Sequence, residues 1–380
     1  MTWNEVSLKQ ICSVDWGNTK LTKSSYIANG MFLAVSAAGA DGLINHFEHE
    51  ADVPVLSAIG AQCGRMFYPG ERFTAIKNTI TLTPKENMAD GKFLYYLFTH
   101  VELPQRGAGQ PFISKGDIEA FRVSIPEGME EQRQIVETLD AAFAEIDLSF
   151  RKTSASLEFL TSCFDSYLDS ILQDQILRCG QKKLVEVLDI ARGGSPRPID
   201  SFLTDDLAGV NWIKISDATS SKKYITETAQ RIRPEGVSRS RLVNPGDFLL
   251  SNSMSFGRPY IMATTGCIHD GWLVLSNNKK LLNQDYLYFV LGSKYIYEQF
   301  NRTAAGSTVR NLNISLAGQV TFPVPDLETQ EYIVSKLVDF ETSIDELKES
   351  LTNKLNKLIE LKNSFLSASF SMEESSEEVA

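Results

Sequence analysis

EEQRQIVETL (Glu130 to Leu139) returns 198 positions later as ETQEYIVSKL (Glu328 to Leu337). Each copy opens a long run with apolar residues at steps of three and four. The first run carries Ile135, Leu139, Phe143, Ile146, Phe150, Leu157, Leu160, Phe164, Tyr167 and Ile171. The second carries Ile333, Leu337, Phe340, Ile344, Leu347, Leu351, Leu355, Leu358, Leu361 and Phe365. Such spacing, sustained over five heptads without proline, predicts coiled-coil helices. From Glu130 to Ile176 the first would span roughly 70 Å.

Working outward, more of the chain proves to be duplicated, which is the first thing to look for in a sequence of this length. Leu8, Ile11, Val14 and Gly17 have counterparts in Leu184, Val187, Ile190 and Gly193. At a common offset of 193, CGRMF (Cys63 to Phe67) matches FGRPY (Phe256 to Tyr260), and KFLYYLF (Lys92 to Phe98) matches DYLYFVL (Asp285 to Leu291). RGAGQ (Arg106 to Gln110) resembles RTAAGS (Arg302 to Ser307). Five blocks in the same order mark one duplicated unit, a globular part followed by a long helix. The period is far too long for a solenoid.

Each globular part is rich in short β-type runs broken by Gly, Pro, Asn and Asp. Examples are Met31–Val35, Thr79–Thr83, Asp247–Ser251 and Trp272–Ser276, with a turn at Asn244-Pro245-Gly246-Asp247. Short helices are expected at Lys92–Thr99 and Asp285–Tyr297. The resulting fold is of α+β class: two mixed α/β globules, mostly antiparallel in their strands, joined by two long antiparallel helices as a pseudo-two-fold dumbbell. The alternative is homodimerisation through the helices; matched lengths within one chain favour the intramolecular pair. The boundaries fall at 1–126, 127–178, 179–325 and 326–370, with an acidic tail, 371–380, that reads as disordered.

The formal net charge of −11 is unevenly placed. Residues 1–126 balance at −1, 127–177 at −8, 178–325 at +6, 326–370 at −4 and the tail at −4. A basic segment inside an acidic chain can still meet phosphates, because the local field governs contact. The five cysteines are scattered with no C-x-x-C, which argues for reduced thiols and against a zinc site or disulfide framework. His46 and His49 lack an obvious third ligand. No apolar run is long enough to span a membrane, and no secretory signal opens the chain, so a cytoplasmic location is expected.

Two variable globules, each followed by a long helix, resemble the specificity subunit of type I restriction–modification systems. The helix openings IPEGMEEQRQIVETLD (Ile125 to Asp140) and VPDLETQEYIVSKLVD (Val324 to Asp339) carry the likeness. So does the order KKLVEVLDIARGG (Lys182 to Gly194), NPGDFLLS (Asn244 to Ser251), DYLYFVL and AAGSTVRNLNISLAGQVTFPVP (Ala304 to Pro325). The first globule departs from this order, having VSAAGADGLINHF (Val35 to Phe47) and no NPGD block, so its target sequence should differ. The resemblance implies two target-recognition domains reading a bipartite, asymmetric double-stranded DNA site. It also implies two methyltransferase subunits and, in the full complex, restriction subunits. S-adenosylmethionine and ATP would sit on those partners, with no cofactor or metal on this chain and no membrane contact.

Residue chemistry leads to the same absence of catalysis. An amino-methyltransferase needs a glycine-rich strand-to-helix turn and an Asn/Asp-Pro-Pro-aromatic loop for the flipped base; a motor needs a phosphate-binding G-x-x-x-x-G-K-[ST]. Neither pattern occurs. Pro325-Asp326 with Glu346-Leu347-Lys348 has the spacing of a metal-dependent nuclease, but Leu347 lies in the helical stripe, about 30 Å along the helix from Asp326. A coiled-coil scaffold for protein binding remains the other reading.

For DNA contact, Lys, Arg and Gln in loops are the candidates. These are Lys20, Lys23, Arg65, Arg106 and Gln110 in the first domain. In the second they are Arg192, Arg197, Lys222, Lys223, Arg239, Arg241, Arg258, Arg302 and Arg310. Arg65 and Arg258 occupy equivalent places after glycine, which suits either contact or the holding of a turn. The helix openings, Met129 to Leu139 and Leu327 to Leu337, are the candidates for partner docking, through Glu131, Gln132, Ile135, Gln330 and Ile333. Repetition is expected where two identical subunits find equivalent sites.

Overall fold

The computed structural model describes residues 2–107, 109–221, 223–252, 257–304 and 312–371. Four helices organise it: α1 (Gly91–His100), α2 (Met129–Cys179), α3 (Gln284–Gly292) and α4 (Leu327–Phe370). The chain divides into two compact units, Met1–Ser154 with Thr352–Ala380, and Ala155–Leu351. Each long helix therefore begins in one unit and ends in the other.

In the first unit, Trp3–Ser7 pairs antiparallel with Arg122–Pro126. A four-stranded antiparallel sheet runs in the order Cys12–Trp16, Thr79–Pro84, Val55–Ser57 and Met66–Phe67. A second sheet places Phe32–Ser36 between Gly39–Ile44 and Phe73–Ala75, the latter pairing parallel. Gly17 ends the first strand of the larger sheet. A Cβ there would lie 2.2 Å from Thr79 Oγ1 and 2.5 Å from the Ile76 carbonyl oxygen, so only glycine fits. α1 starts at Asp90, whose carboxylate accepts from the Phe93 N–H. Its apolar face, Phe93, Leu94 and Leu97, is buried against Leu8, Ile80 and Leu82 of the same core.

The second unit repeats this plan with longer sheets. Lys182–Lys183 pairs with Thr321–Phe322. One five-stranded sheet runs Asp189–Arg192, Trp272–Ser276, Phe248–Ser251, Pro259–Met262, Tyr224–Ile225; the other runs Leu203–Thr204, Gln230–Ile232, Val210–Ile213, Gly266–Ile268, Arg241–Val243. Most pairings are antiparallel, as expected from the short alternating runs. Gly193, the counterpart of Gly17, lies under the next turn so closely that a Cβ would sit 2.0 Å from the His269 carbonyl oxygen. The helix expected over Asp285–Tyr297 is two helices, α3 and Lys294–Ala304. Ser293, in extended conformation, separates them: its hydroxyl donates to the Val290 carbonyl and accepts from the Ile296 N–H.

The two long helices pack on each other within both units. In the first, the Lys362 ammonium lies 2.9 Å from the Asp147 carboxylate and 4.7 Å from the centre of the Phe143 ring, while Phe370 packs on Phe93. In the second, Phe340 packs on Phe164 and Tyr167. The expected stripe holds at Ile135, Leu139, Phe143 and Ile146, then drifts. Phe150, Leu347, Leu361 and Phe365 are exposed, while Leu168, Leu172 and Leu366 take the buried places. A helix of 3.6 residues per turn loses a 3.5-residue register by about 20° per heptad. Among the described residues no helix is long and apolar enough to cross a membrane.

Candidate nucleic-acid interface

Arg192 closes its strand beside the turn formed by His269, Asp270 and Gly271. Its Nε donates to the Asp270 carbonyl (3.0 Å), and Arg241 Nε in turn donates to the Arg192 carbonyl (2.7 Å). Ser195 Oγ donates to the Asp270 carboxylate at 3.0 Å, and the exposed guanidinium of Arg197 lies 3.7 Å from it. Arg239 rests over the Phe202 ring at 5.4 Å, and its backbone carbonyl lies by Gly194. Four arginines expected from sequence to meet DNA are thus gathered around one turn. Burial works against ionisation of Asp270, but Ser195, its own backbone N–H, His269 and Arg192 together hold it below the ordinary carboxylate range. One acid therefore anchors the loop that carries Arg197.

Beside this cluster opens a cleft of about 1410 Å³ lined by Pro196, Arg197, Ile199, Trp212, Lys214 and His269, among others. Burial lowers the His269 pKa, with the Asp270 charge opposing and Lys214 adding to the effect. The ring is held as an acceptor, Nδ1 taking the Gly271 N–H at 2.9 Å. Lys214 and His269 are not among the residues that the sequence singles out. Lys214 ends the apolar strand run NWIK, and His269 opens an HDG turn; a lone basic residue at a strand end is the only signal there.

In the first unit the corresponding loop follows Gly17. Lys20 is exposed. Lys23 pairs with Asp41 and lines a smaller cleft, about 290 Å³, with Ser36, Gln62 and Lys77. Burial opposes ionisation of Asp41, while hydrogen bonds from Lys23, Tyr26 and Ser36 bring its pKa below the ordinary value. Arg106 is paired with Asp117, and Gln110 is exposed across the turn from Gly107. Arg302 is exposed near the end of its helix. Lys222 and Arg310 lie outside the described residues.

Two groups of residues have occupations different from those expected. Lys223 donates to the Asp285 carboxylate and sits among the rings of Tyr224, Tyr288 and Phe289 at 4.8 to 5.8 Å. Desolvation lowers its pKa, but Asp285 more than restores it. This lysine holds the domain and is not a loose surface cation. Gln132 and Gln330 have no exposed surface, and Ile135 and Ile333 are also buried. Each glutamine accepts from a backbone N–H, of Asp90 (3.0 Å) or Asn283 (2.7 Å). Each also donates to two carbonyls, Met88 and Pro126 in the first unit, Leu281 and Pro325 in the second. These four side chains cannot receive a docked subunit, because their surface is already covered by their own domain. Glu131 is half-buried; the exposed residues of the same turns are Arg133, Gln134 and Glu137, and Glu331, Tyr332 and Lys336. Asp326 caps α4, accepting from the Thr329 N–H and hydroxyl.

The family described as the type I restriction modification DNA specificity domain matches this chain twice, over residues 1–158 and 180–357, once for each duplicated unit. The chain belongs to the type I restriction–modification specificity family. A putative type I restriction enzyme specificity subunit of Haemophilus influenzae is 24% identical over 356 residues, covering 90% of this chain and 89% of the relative. In fold, this specificity subunit is similar to a solved chain from work on complex assembly and conformational transition of the type I R-M system. That likeness has a TM-score of 0.70 at 17% identity, over 97% of both chains. The HsdS subunit from Thermoanaerobacter tengcongensis is similar at a TM-score of 0.58 and 18% identity, over 97% of this chain and 96% of that one. The mixed α/β target domains and the two long helices are therefore features of this chain's fold family.

Proposed function

We propose that this specificity subunit reads a bipartite, asymmetric DNA site, one half with each target domain, for two methyltransferase subunits and, in the full complex, for restriction subunits. The duplication carries the reading: Gln132 and Gln330 make the same bonds in two units whose sheets differ. Equivalent scaffolds with different surfaces suit two different half-sites and one kind of partner. In the second domain, Arg197 and Lys214 of the Trp212 cleft, with Arg192 and Arg239 around the adjoining turn, face DNA. In the first, Lys20 and Lys23 occupy the equivalent loop. Partner docking uses the exposed sides of the helix openings, around Arg133 and Glu137 and around Tyr332 and Lys336. The chain itself catalyses nothing, and S-adenosylmethionine and ATP belong to the partners. Reconstitution tests this: the purified chain, its cognate methyltransferase, S-adenosylmethionine and duplex DNA should give methylation at a two-part sequence, and no methyl transfer without the methyltransferase. Methyl transfer by the chain alone would refute it.

A further inference from the structure

The two units share a second device. Gly64 and Gly257 have φ of +89° and +75°, a conformation in which side chains are rare. The arginine that follows each glycine lies over the ring two residues further on, Arg65 over Phe67 and Arg258 over Tyr260, both at 5.5 Å. Both arginines are exposed, and among the described residues neither pairs with a carboxylate within 4 Å; Arg65 donates instead to the Gln62 side chain at 3.0 Å. Each guanidinium lines a cleft, and the two clefts have the same volume, about 660 Å³. Their walls correspond at the offset of 193: Tyr95 with Tyr288, Phe98 with Leu291, Thr99 with Gly292.

We propose that these are twin docking clefts for the same segment of two methyltransferase subunits, a segment bearing an apolar or aromatic anchor beside an acidic side chain. The inference rests on the specificity-subunit reading above. Half-site readers must diverge, whereas surfaces meeting two copies of one subunit need not. The sheets of the two units diverge, whereas these clefts keep the glycine–arginine pair and the tyrosine facing it, although Phe164, Asp165 and Glu341 line only the second. Their chemistry favours a peptide over DNA. The aromatic walls suit a buried anchor, and a guanidinium without a carboxylate partner suits an acidic side chain. The exposed Glu102 in one cleft, and Asp165 and Glu341 in the other, repel a DNA backbone with its repeated phosphates more than a single carboxylate seated on the guanidinium. Neither cleft shares a lining residue with the one beside Arg197.

The test uses the full chain with its cognate methyltransferase, counting bound copies by native mass spectrometry and measuring DNA affinity against salt. Arg65→Glu and Arg258→Glu should each weaken one of two methyltransferase copies by about tenfold or more, and the double variant should weaken both. Thr99→Trp and Gly292→Trp, which fill the clefts and leave the arginines in place, should do the same. DNA salt dependence should not move in any of them. Wild-type assembly by the double variant overturns the proposal. So does a salt slope reduced by about one per arginine with assembly intact, which would assign both residues to the DNA backbone. If the unaltered chain binds no methyltransferase, the specificity-subunit reading fails, and that is seen before any variant is made.

Discussion

Gln132 and Gln330 make the same three hydrogen bonds in the two units, each tying the start of a long helix to the residue that caps a short one. Their amides are wholly buried, so nothing in solvent can replace the bonds. Replacing either with alanine leaves buried backbone groups unpaired, at a cost of about 1–3 kcal/mol each. Gln330→Ala should accelerate hydrogen exchange at the Asn283 amide and leave Asp90 unchanged, and Gln132→Ala should do the reverse. Exchange unaltered at both amides would show that the clamps are not the joint described.

The arginine cluster separates contact from support. Arg197→Ala and Arg239→Ala remove exposed or ring-supported cations. Each should weaken duplex binding and reduce the salt slope by about one unit for every phosphate that the side chain neutralises. Arg302→Ala, at its exposed helix end, should behave alike. Arg241 holds the Arg192 carbonyl, so Arg241→Ala should lower the unfolding midpoint as well. Titrations at several salt concentrations, beside denaturation curves, distinguish the two classes.

Lys223 gives the opposite pattern. Its ammonium is half-buried between Asp285 and three rings. Lys223→Ala should cost roughly 1–3 kcal/mol of stability and leave the salt slope of DNA binding unaltered. A lowered slope with normal stability would return this lysine to the DNA surface.

The target domain of the second unit should be acid-sensitive. His269 has its folded pKa pushed below the ordinary 6.5 by burial. The unfolded chain therefore takes up the proton first, and stability falls as pH drops below about 6.5 toward the folded value. Asp270, also depressed, contributes stability above the ordinary carboxylate range that disappears at lower pH still. Unfolding midpoints from pH 7.5 to 5 should decline, and His269→Asn should flatten the decline. An equal slope in the variant would assign it to other groups.

Sequence made the duplication legible because equivalent residues recur in the same order, at offsets that drift from 176 to 198, and the long helices legible because apolar steps of three and four leave few alternatives. What each rung touches was less accessible. Gln132 and Gln330 look like surface residues, since polar side chains usually are; only the fold shows carbonyls waiting on both sides of them. Leu168 and Leu172 displaced the expected rungs because the heptad register drifts. Lys214 and His269 enter the cleft beside Arg197 through pairing of Val210–Ile213 with Gly266–Ile268, a parallel alignment across more than fifty residues that no local pattern announces.

If the two target domains read separate half-sites at a spacing set by the long helices, changing a helix must change the spacing. Four residues inserted near Leu157 would lengthen α2 by roughly 6 Å and turn it by about one turn. Sequencing methylated positions in cells that carry this variant with the cognate methyltransferase is the direct measurement. The account predicts that both half-site sequences persist and that the unspecified gap between them grows by about one or two base pairs, at roughly 3.4 Å per pair. Methylation at an unchanged gap would contradict it.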